Sequence, residues 1–206
     1  MSANTLILHP VNPQSRLAAQ AARTVAAGGV IAYPTDSSYA LGCRLSDKTA
    51  AARMRRLRDA DRHHPFTLVC RDLSEIATYA HVDNPAYRLL RSLTPGPYTF
   101  VLPATREVPR RLVHPKRKAI GIRVPDNAVA RALLAALDEP LMSTTVVDGT
   151  EPLGDALAVE EAYGGGVDLI VDGGPTPGEP TTVIELKDGG VRLLREGRGP
   201  VGDWAY

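Results

Sequence analysis

The chain has 206 residues, is 44% hydrophobic, and carries 24 Lys and Arg against 23 Asp and Glu. That length fits one domain over residues 1–206 with a full core. No apolar run approaches the roughly 18 residues of a membrane span, and no basic flank with an apolar signal core opens the chain, so a cytoplasmic protein away from the membrane is expected.

Near neutrality hides a split. Residues 1–131 hold 20 Lys and Arg against 9 Asp and Glu, and residues 132–206 hold 4 against 14, giving +11 and −10. Basic side chains crowd at Arg53, Arg55, Arg56, Arg58 and Arg62, and again at Arg110, Arg111, Lys116, Arg117 and Lys118. They are either solvated faces or a surface for an anionic partner: a nucleotide, an RNA, or the acidic part of the chain. Cys43 and Cys70 have no partners at metal-binding spacing and read as reduced core thiols.

In chain order, Asn12-Pro13 reads as a helix start, and Leu17, Ala21 and Val25 keep helical spacing up to Gly28-Gly29. Val30 to Tyr33 is then a buried strand halted by Pro34. Five polar tips follow, Thr35, Asp36, Ser37, Ser38 and Tyr39, just past a strand's carboxyl end, where open α/β sheets bind ligands. An ordinary turn capped by Asp36 and Ser37 fits the same residues. Ser46 or Asp47 caps a helix over 48–57, which delivers Arg58 toward the sheet.

Further strands are expected at 66–70, 98–102, 119–124, 141–145 and 167–171. Helices are expected from Asp72, over 85–93 capped by Asn84, over 108–113, over 127–137 capped by Asp126, and over 156–163. Residues 173–180 read as a loop, and Asp188-Gly189 joins the strands 182–186 and 191–194 as a hairpin. This order predicts an α/β sheet, mostly parallel with antiparallel members.

Two motifs are rejected. Gly197-Arg198-Gly199-Pro200-Val201-Gly202 has the letters of a dinucleotide fingerprint, but too little chain follows for the helix and second strand that motif needs. His63 and His64 are adjacent, so their side chains diverge, which argues against a shared metal ion. No metal site is expected. Ser143, Thr144 and Thr145 lack a nucleophile elbow and a histidine-carboxylate partnership, so they read as binding hydroxyls.

Four segments in order resemble the YrdC-like family, the threonylcarbamoyl-AMP synthases of tRNA modification. Pro34-Thr35-Asp36-Ser37-Ser38-Tyr39-Ala40-Leu41 is similar to its Pro-Thr-Asp-Thr-x-Tyr-Gly-Leu, and Thr94-Pro95-Gly96-Pro97-Tyr98-Thr99 to its Trp-Pro-Gly-Pro-Leu-Thr. Ile120 to Pro125 resembles Val-Ala-Val-Arg-Val-Pro, and Thr181 to Ile184 resembles Ser-Thr-Val-Val. The runs at Pro65 and Tyr98 point to the YciO branch.

The resemblance implies a twisted mixed α/β sheet with flanking helices around a basic concave cavity, the YrdC-like, DHBP-synthase-like fold. It also implies joining of L-threonine, bicarbonate and ATP into threonylcarbamoyl-adenylate with Mg²⁺, for transfer to adenosine 37 of tRNA by a partner complex. Carried over by position, Thr35, Tyr39, Arg123 and Thr182 would hold threonine, with Arg123 as a planar fork on its carboxylate. Arg58 and Arg195 would face the phosphates, with hydroxyl contacts from Ser143 and Thr145; Arg58, Ser143 and Thr145 would be the catalytic set.

Three departures stand out. The family's Lys-x-Arg pair falls on Arg58 and Ala60, its Ser-x-Asn pair on Thr145 and Val147, and its histidine after Pro-Leu-x-x on Val69. Lost charge-assisted contacts lead to an expectation of weak synthase activity or a shifted substrate. A non-catalytic protein binding double-stranded RNA or tRNA through the same basic face is the competing expectation.

Overall fold

In the computed structural model, the structure describes residues 3–59, 65–113, 116 and 118–205. Ala60, Arg62, His63, His64 and Arg117, named above, lie outside the described residues. The chain runs β1 (Asn4–Ile7), α1 (Ser15–Ala26), β2 (Ile31–Pro34), β3 (Tyr39–Arg44), α2 (Lys48–Leu57), β4 (Thr67–Val69), α3 (Leu73–Tyr79), α4 (Asn84–Leu93) and β5 (Tyr98–Pro103). It continues with β6 (Ala119–Arg123), α5 (Ala128–Leu137), β7 (Leu141–Thr145), β8 (Val147–Asp148), β9 (Glu151–Pro152), α6 (Ala156–Tyr163), β10 (Leu169–Asp172), β11 (Thr182–Lys187) and β12 (Gly190–Arg195).

Local chemistry explains the helix ends. Asp47 starts α2 by accepting from the amides of Thr49 and Ala50 at 2.8 Å. At the far end of α1, Gly28 adopts φ 88°, Gly28 N–H bonds Val25 O and Gly29 N–H bonds Thr24 O, the double closure that glycine allows. Three expected caps shift. Asp83, not Asn84, caps α4, and Asn127, not Asp126, caps α5. Helix α1 begins after Gln14 with no side-chain cap; the Asn12 amide instead donates to His9 Nδ1. The expected helix over 108–113 is only a turn, closed by Leu112 N–H to Pro109 O at 2.8 Å.

Ten strands form one sheet in the order β1-β10-β2-β3-β7-β4-β6-β5-β11-β12, with β8 and β9 as a separate small hairpin. The expectation of a mostly parallel sheet is corrected. Parallel pairs are β1·β10, β10·β2, β4·β6 and β5·β11, while the other five neighbours run antiparallel. The reason is β3, which reverses at once after the Thr35–Ser38 turn and places an antiparallel hairpin mid-sheet.

Strand alternation sorts side chains onto two faces. On one face Val30, Ala32, Leu41, Cys43, Leu68, Phe100, Ile122 and Met142 pack under α2, α3, α4 and α6. On the other, Ile31, Tyr33, Ala40, Val69 and Leu141 pack under α1 and α5, which cover only the β1-to-β7 side. The uncovered remainder of that second face is where small and polar residues stand, including Thr67, Thr99, Gly121 and Ser143.

The false fingerprint has a structural use. Gly197 N–H donates to Thr182 Oγ1 at 3.0 Å, Thr182 Oγ1 donates to Gly199 O at 2.6 Å, and Tyr98 O–H donates to Pro200 O at 2.9 Å. The segment is a strap laid across β5 and β11. A methyl group on Gly199 would stand 2.4 Å from the Tyr98 ring. Gly199→Ala is expected to destabilise the fold by about 1–3 kcal/mol, the range for overpacking, measured as a lower urea midpoint with an unchanged slope.

Candidate functional site

The uncovered part of the second face is the floor of a cavity of about 600 Å³. Six of the eight expected site residues line it: Thr35, Arg58, Arg123, Ser143, Thr145 and Arg195. Segments far apart in sequence converge there because β4, β6, β7 and β5 are neighbours in the sheet while β12 supplies its far wall.

Arg123 ends β6 with its side chain only 8% exposed and pairs through Nη2 with Asp36 Oδ1, whose side chain is equally buried. Asp36 Oδ2 accepts from the Asp126 amide at 2.9 Å. Arg123 Nη1 donates to Ser37 Oγ at 3.2 Å, and since Thr35 Oγ1 donates to Ser38 O at 2.7 Å, the Ser37 hydroxyl donates in turn to Thr35 Oγ1 at 3.0 Å. The turn is thus wired to the guanidinium. Arg123 Nε is buried and has no hydrogen-bond partner among the described residues.

Strand β2 reaches Ser143 by a related device. The Tyr33 ring crosses β3 over Gly42, where a Cβ would lie 2.9 Å from the ring. Ser143 Oγ donates to Leu41 O at 2.8 Å, so the Tyr33 hydroxyl is the donor in its 2.8 Å bond to Ser143 Oγ. Ser143 therefore faces the cavity as an acceptor. Burial pushes the Tyr33 phenol up to about 12, against a lowering by the Ser143 hydrogen bond.

The other cations sit apart from Arg123. Arg58, the residue closing α2, donates through Nε to Thr145 O at 2.8 Å. Arg195 donates through Nε and Nη2 to Thr181 O at 3.1 and 2.9 Å, and partial burial draws its guanidinium below the usual arginine range. Glu151, on the β8–β9 hairpin, is the one carboxylate lining the cavity among the described residues.

Tyr39 and Thr182 are not brought to the cavity. Tyr39 is fully buried among the residues of the opposite face and donates to Gly174 O at 2.8 Å. Thr182 is fully buried, its hydroxyl occupied on both sides by the C-terminal strap. Each is one residue out of phase with the cavity-facing positions, and the in-phase neighbour Thr181 is what lines it. Thr35 does line it, but its hydroxyl closes the turn, a task the ordinary-turn reading gives to Asp36 and Ser37, whose side chains instead engage Arg123. Tyr33, Thr67, Thr99 and Thr181 are cavity residues to which the motif resemblance assigns no role and which strand phase identifies.

The chain and its fold have counterparts in known proteins. The chain belongs to the Sua5–YciO–YrdC family, whose model, described as telomere recombination, matches residues 23–197. Within the family it is similar to YciO of Escherichia coli K12, 53% identical over 166 residues that cover 80% of this chain and 81% of that one. The crystal structure of E. coli YciO matches with a TM-score of 0.92 at 50% identity, over 96% of this chain and 97% of that one. A threonylcarbamoyl-AMP synthase of Chromobacterium violaceum is 36% identical over 156 residues, 75% of this chain and 80% of that one. P. abyssi Sua5 complexed with L-threonine matches with a TM-score of 0.87 at 26% identity, over 94% of this chain and 57% of that chain.

Two measurements probe this architecture. Asp36→Ala leaves a buried guanidinium without its counter-ion and is expected to cost about 3–5 kcal/mol in chemical denaturation. For Tyr33, the folded phenol keeps its proton above the unfolded value of 10.0, up to about 12. Stability is therefore expected to fall between those two pH values by roughly 2–3 kcal/mol, and Tyr33→Phe should flatten that part of the pH profile.

Proposed function

We propose that the chain forms threonylcarbamoyl-adenylate from L-threonine, bicarbonate and ATP, with weak turnover. The observation that carries this reading is Arg123: it lines a cavity that also holds Arg58 and Arg195, and its buried, charged Nε–H has no partner among the described residues. A substrate carboxylate would satisfy it in the charge-assisted manner guanidinium groups favour. The likeness to a threonylcarbamoyl-AMP synthase and to a Sua5 bound to L-threonine supports the same assignment.

In this reading the threonine amine nitrogen bonds to the carbon of bicarbonate, one C–O bond of bicarbonate breaks with release of water, and a carbamate results. A carbamate oxygen attacks the α-phosphorus of ATP, and the bond from that phosphorus to the pyrophosphate oxygen breaks. Arg123 anchors the amino acid, and Arg58 and Arg195 balance charge on the phosphates. Thr145 offers a hydroxyl donor, while Ser143 accepts. The chain acts by positioning and charge stabilisation, without a covalent intermediate.

Among the described residues no group of three or more His, Cys, Asp or Glu gathers to hold a metal ion. The cavity's donors are chiefly guanidinium and hydroxyl groups, a set that suits phosphate oxygens. Mg²⁺ would accordingly be carried on the nucleotide's phosphates, where it would neutralise charge on the leaving pyrophosphate.

A second reading, binding of double-stranded RNA or tRNA without turnover, draws on the exposed basic residues Arg106, Arg110, Arg111, Lys116 and Lys118 just before β6. Turnover separates the two. Pyrophosphate release is expected to require both threonine and bicarbonate, and to fall about tenfold or more in Arg58→Ala, as for loss of a contact to a charged group. A rate indifferent to threonine, together with salt-dependent RNA binding, would favour the second reading.

A further inference from the structure

The middle of the cavity floor carries a hydroxyl that neither the family motifs nor the protein's own hydrogen bonding accounts for. On β4, Thr67 is paired with Gly121 of β6 on one side and Ser143 of β7 on the other. Its neighbours along these strands connect the two charged ends of the site. Two residues beyond Gly121 stands Arg123, and two beyond Ser143 stands Thr145, whose carbonyl holds Arg58. Side chains two apart on a strand share a face. Thr67 thus lies on the cavity face between the Arg123 end and the Arg58 end.

Thr67 lines the cavity beside a glycine. A Cβ built on Gly121 would meet Thr67 Oγ1 at 3.3 Å, so the hydroxyl borders the volume that Gly121 leaves empty. Most hydroxyls around it are taken. Thr35 closes its own turn, Ser143 donates to Leu41 O, and Thr99 and Thr181 bond each other at 2.8 Å. Thr67 Oγ1 has no hydrogen bond to any described residue, although Thr67 is partly buried on the cavity wall. A half-buried hydroxyl of this kind is suited to a polar ligand atom.

We propose that Thr67 is a substrate-contacting residue of the site, donating to the group that joins the two substrates: the carbamate oxygens of the amino-acid part, or the α-phosphate oxygens they attack. The assignment rests on the synthase reading above. In that reading the carboxylate is anchored at Arg123 and the phosphates at Arg58, so the bond forms over the floor between them. Thr67 and the gap above Gly121 occupy that stretch. Such a hydroxyl assists more as charge builds on the transferring oxygens than when either substrate is bound alone.

The test compares wild type, Thr67→Val and Thr67→Ser. Valine removes the hydroxyl at nearly constant shape, and serine keeps it. Thr67→Val is expected to lower kcat for threonine-dependent pyrophosphate release about tenfold or more, the loss of one hydrogen bond to a charged group. Its KM values for ATP and threonine should stay within about threefold, and Thr67→Ser should recover most of the rate. Calorimetric titration with ATP and threonine, separately and together, gives a second readout: Thr67→Val should bind each alone as wild type does and lose the coupling between them.

A wild type without threonine-dependent turnover would overturn the synthase reading while the titration still decides Thr67. Unchanged kcat in Thr67→Val, or equal coupling in both proteins where turnover is absent, would overturn the assignment. So would a loss of melting temperature in Thr67→Val matching its loss of rate, or a wild type that binds neither ligand.

Discussion

The pair between Asp36 and Arg123 is the constraint from which the shape of the site follows. It joins the turn after β2 to the end of β6, yet three strands lie between them, a span of about 19 Å in a flat sheet. Sheets carry a right-handed twist, which lets side chains from separated strands approach, and this pair ties the two segments together beside the cavity. Burying two charges is costly, and the cost is offset here by a network in which both carboxylate oxygens and both terminal guanidinium nitrogens are engaged. The same residue lines the cavity, and its Nε–H has no partner among the described residues. The ion pair and the cavity wall therefore share one side chain.

The site is also largely set before any ligand arrives. Tyr33 is held by Ser143, Ser143 by Leu41, Ser37 and Thr35 by the turn they build, and Arg195 by the Thr181 carbonyl. Side chains fixed in this way cost little to order at the moment of binding. Two of the three departures from the family pattern lie on the cavity wall: Val69 stands beside Arg123 across the β4–β6 ladder, and Val147 has its amide and carbonyl both bonded to the Tyr163 hydroxyl.

Much of this was legible in the sequence, and what was not has physical causes. Helices α1, α2, α5 and α6 show in apolar spacing and in Gly28-Gly29 and Asp47, because those signals are local. Caps slip by one residue where two capable side chains adjoin, as in Asp83-Asn84 and Asp126-Asn127, since only backbone angles choose between them. Strand β3 is hidden because Tyr39 to Cys43 are buried on both faces and lack alternation. The insertion of β10 between β1 and β2 has no local signature at all. Motif matching located the convergence of Arg58, Arg123, Arg195, Ser143 and Thr145, but it is indifferent to the two-residue period. Tyr39 and Thr182 accordingly match the motifs yet lie outside the cavity lining, while Thr67 and Thr181 belong to it.

The placing of β10 bears on how the chain is made. β1 emerges first during synthesis, yet its sheet partner is residues 169–172, and the wall carrying Thr181 and Arg195 hangs on β5 only once β11 exists. Until the final third leaves the ribosome, the early strands have open ladders and the basic two-thirds of the chain lack the acidic remainder. Pairings this distant in sequence make assembly slow. The nascent protein is thus an unfinished sheet for most of its translation, a period in which binding by a chaperone would shield its open edges.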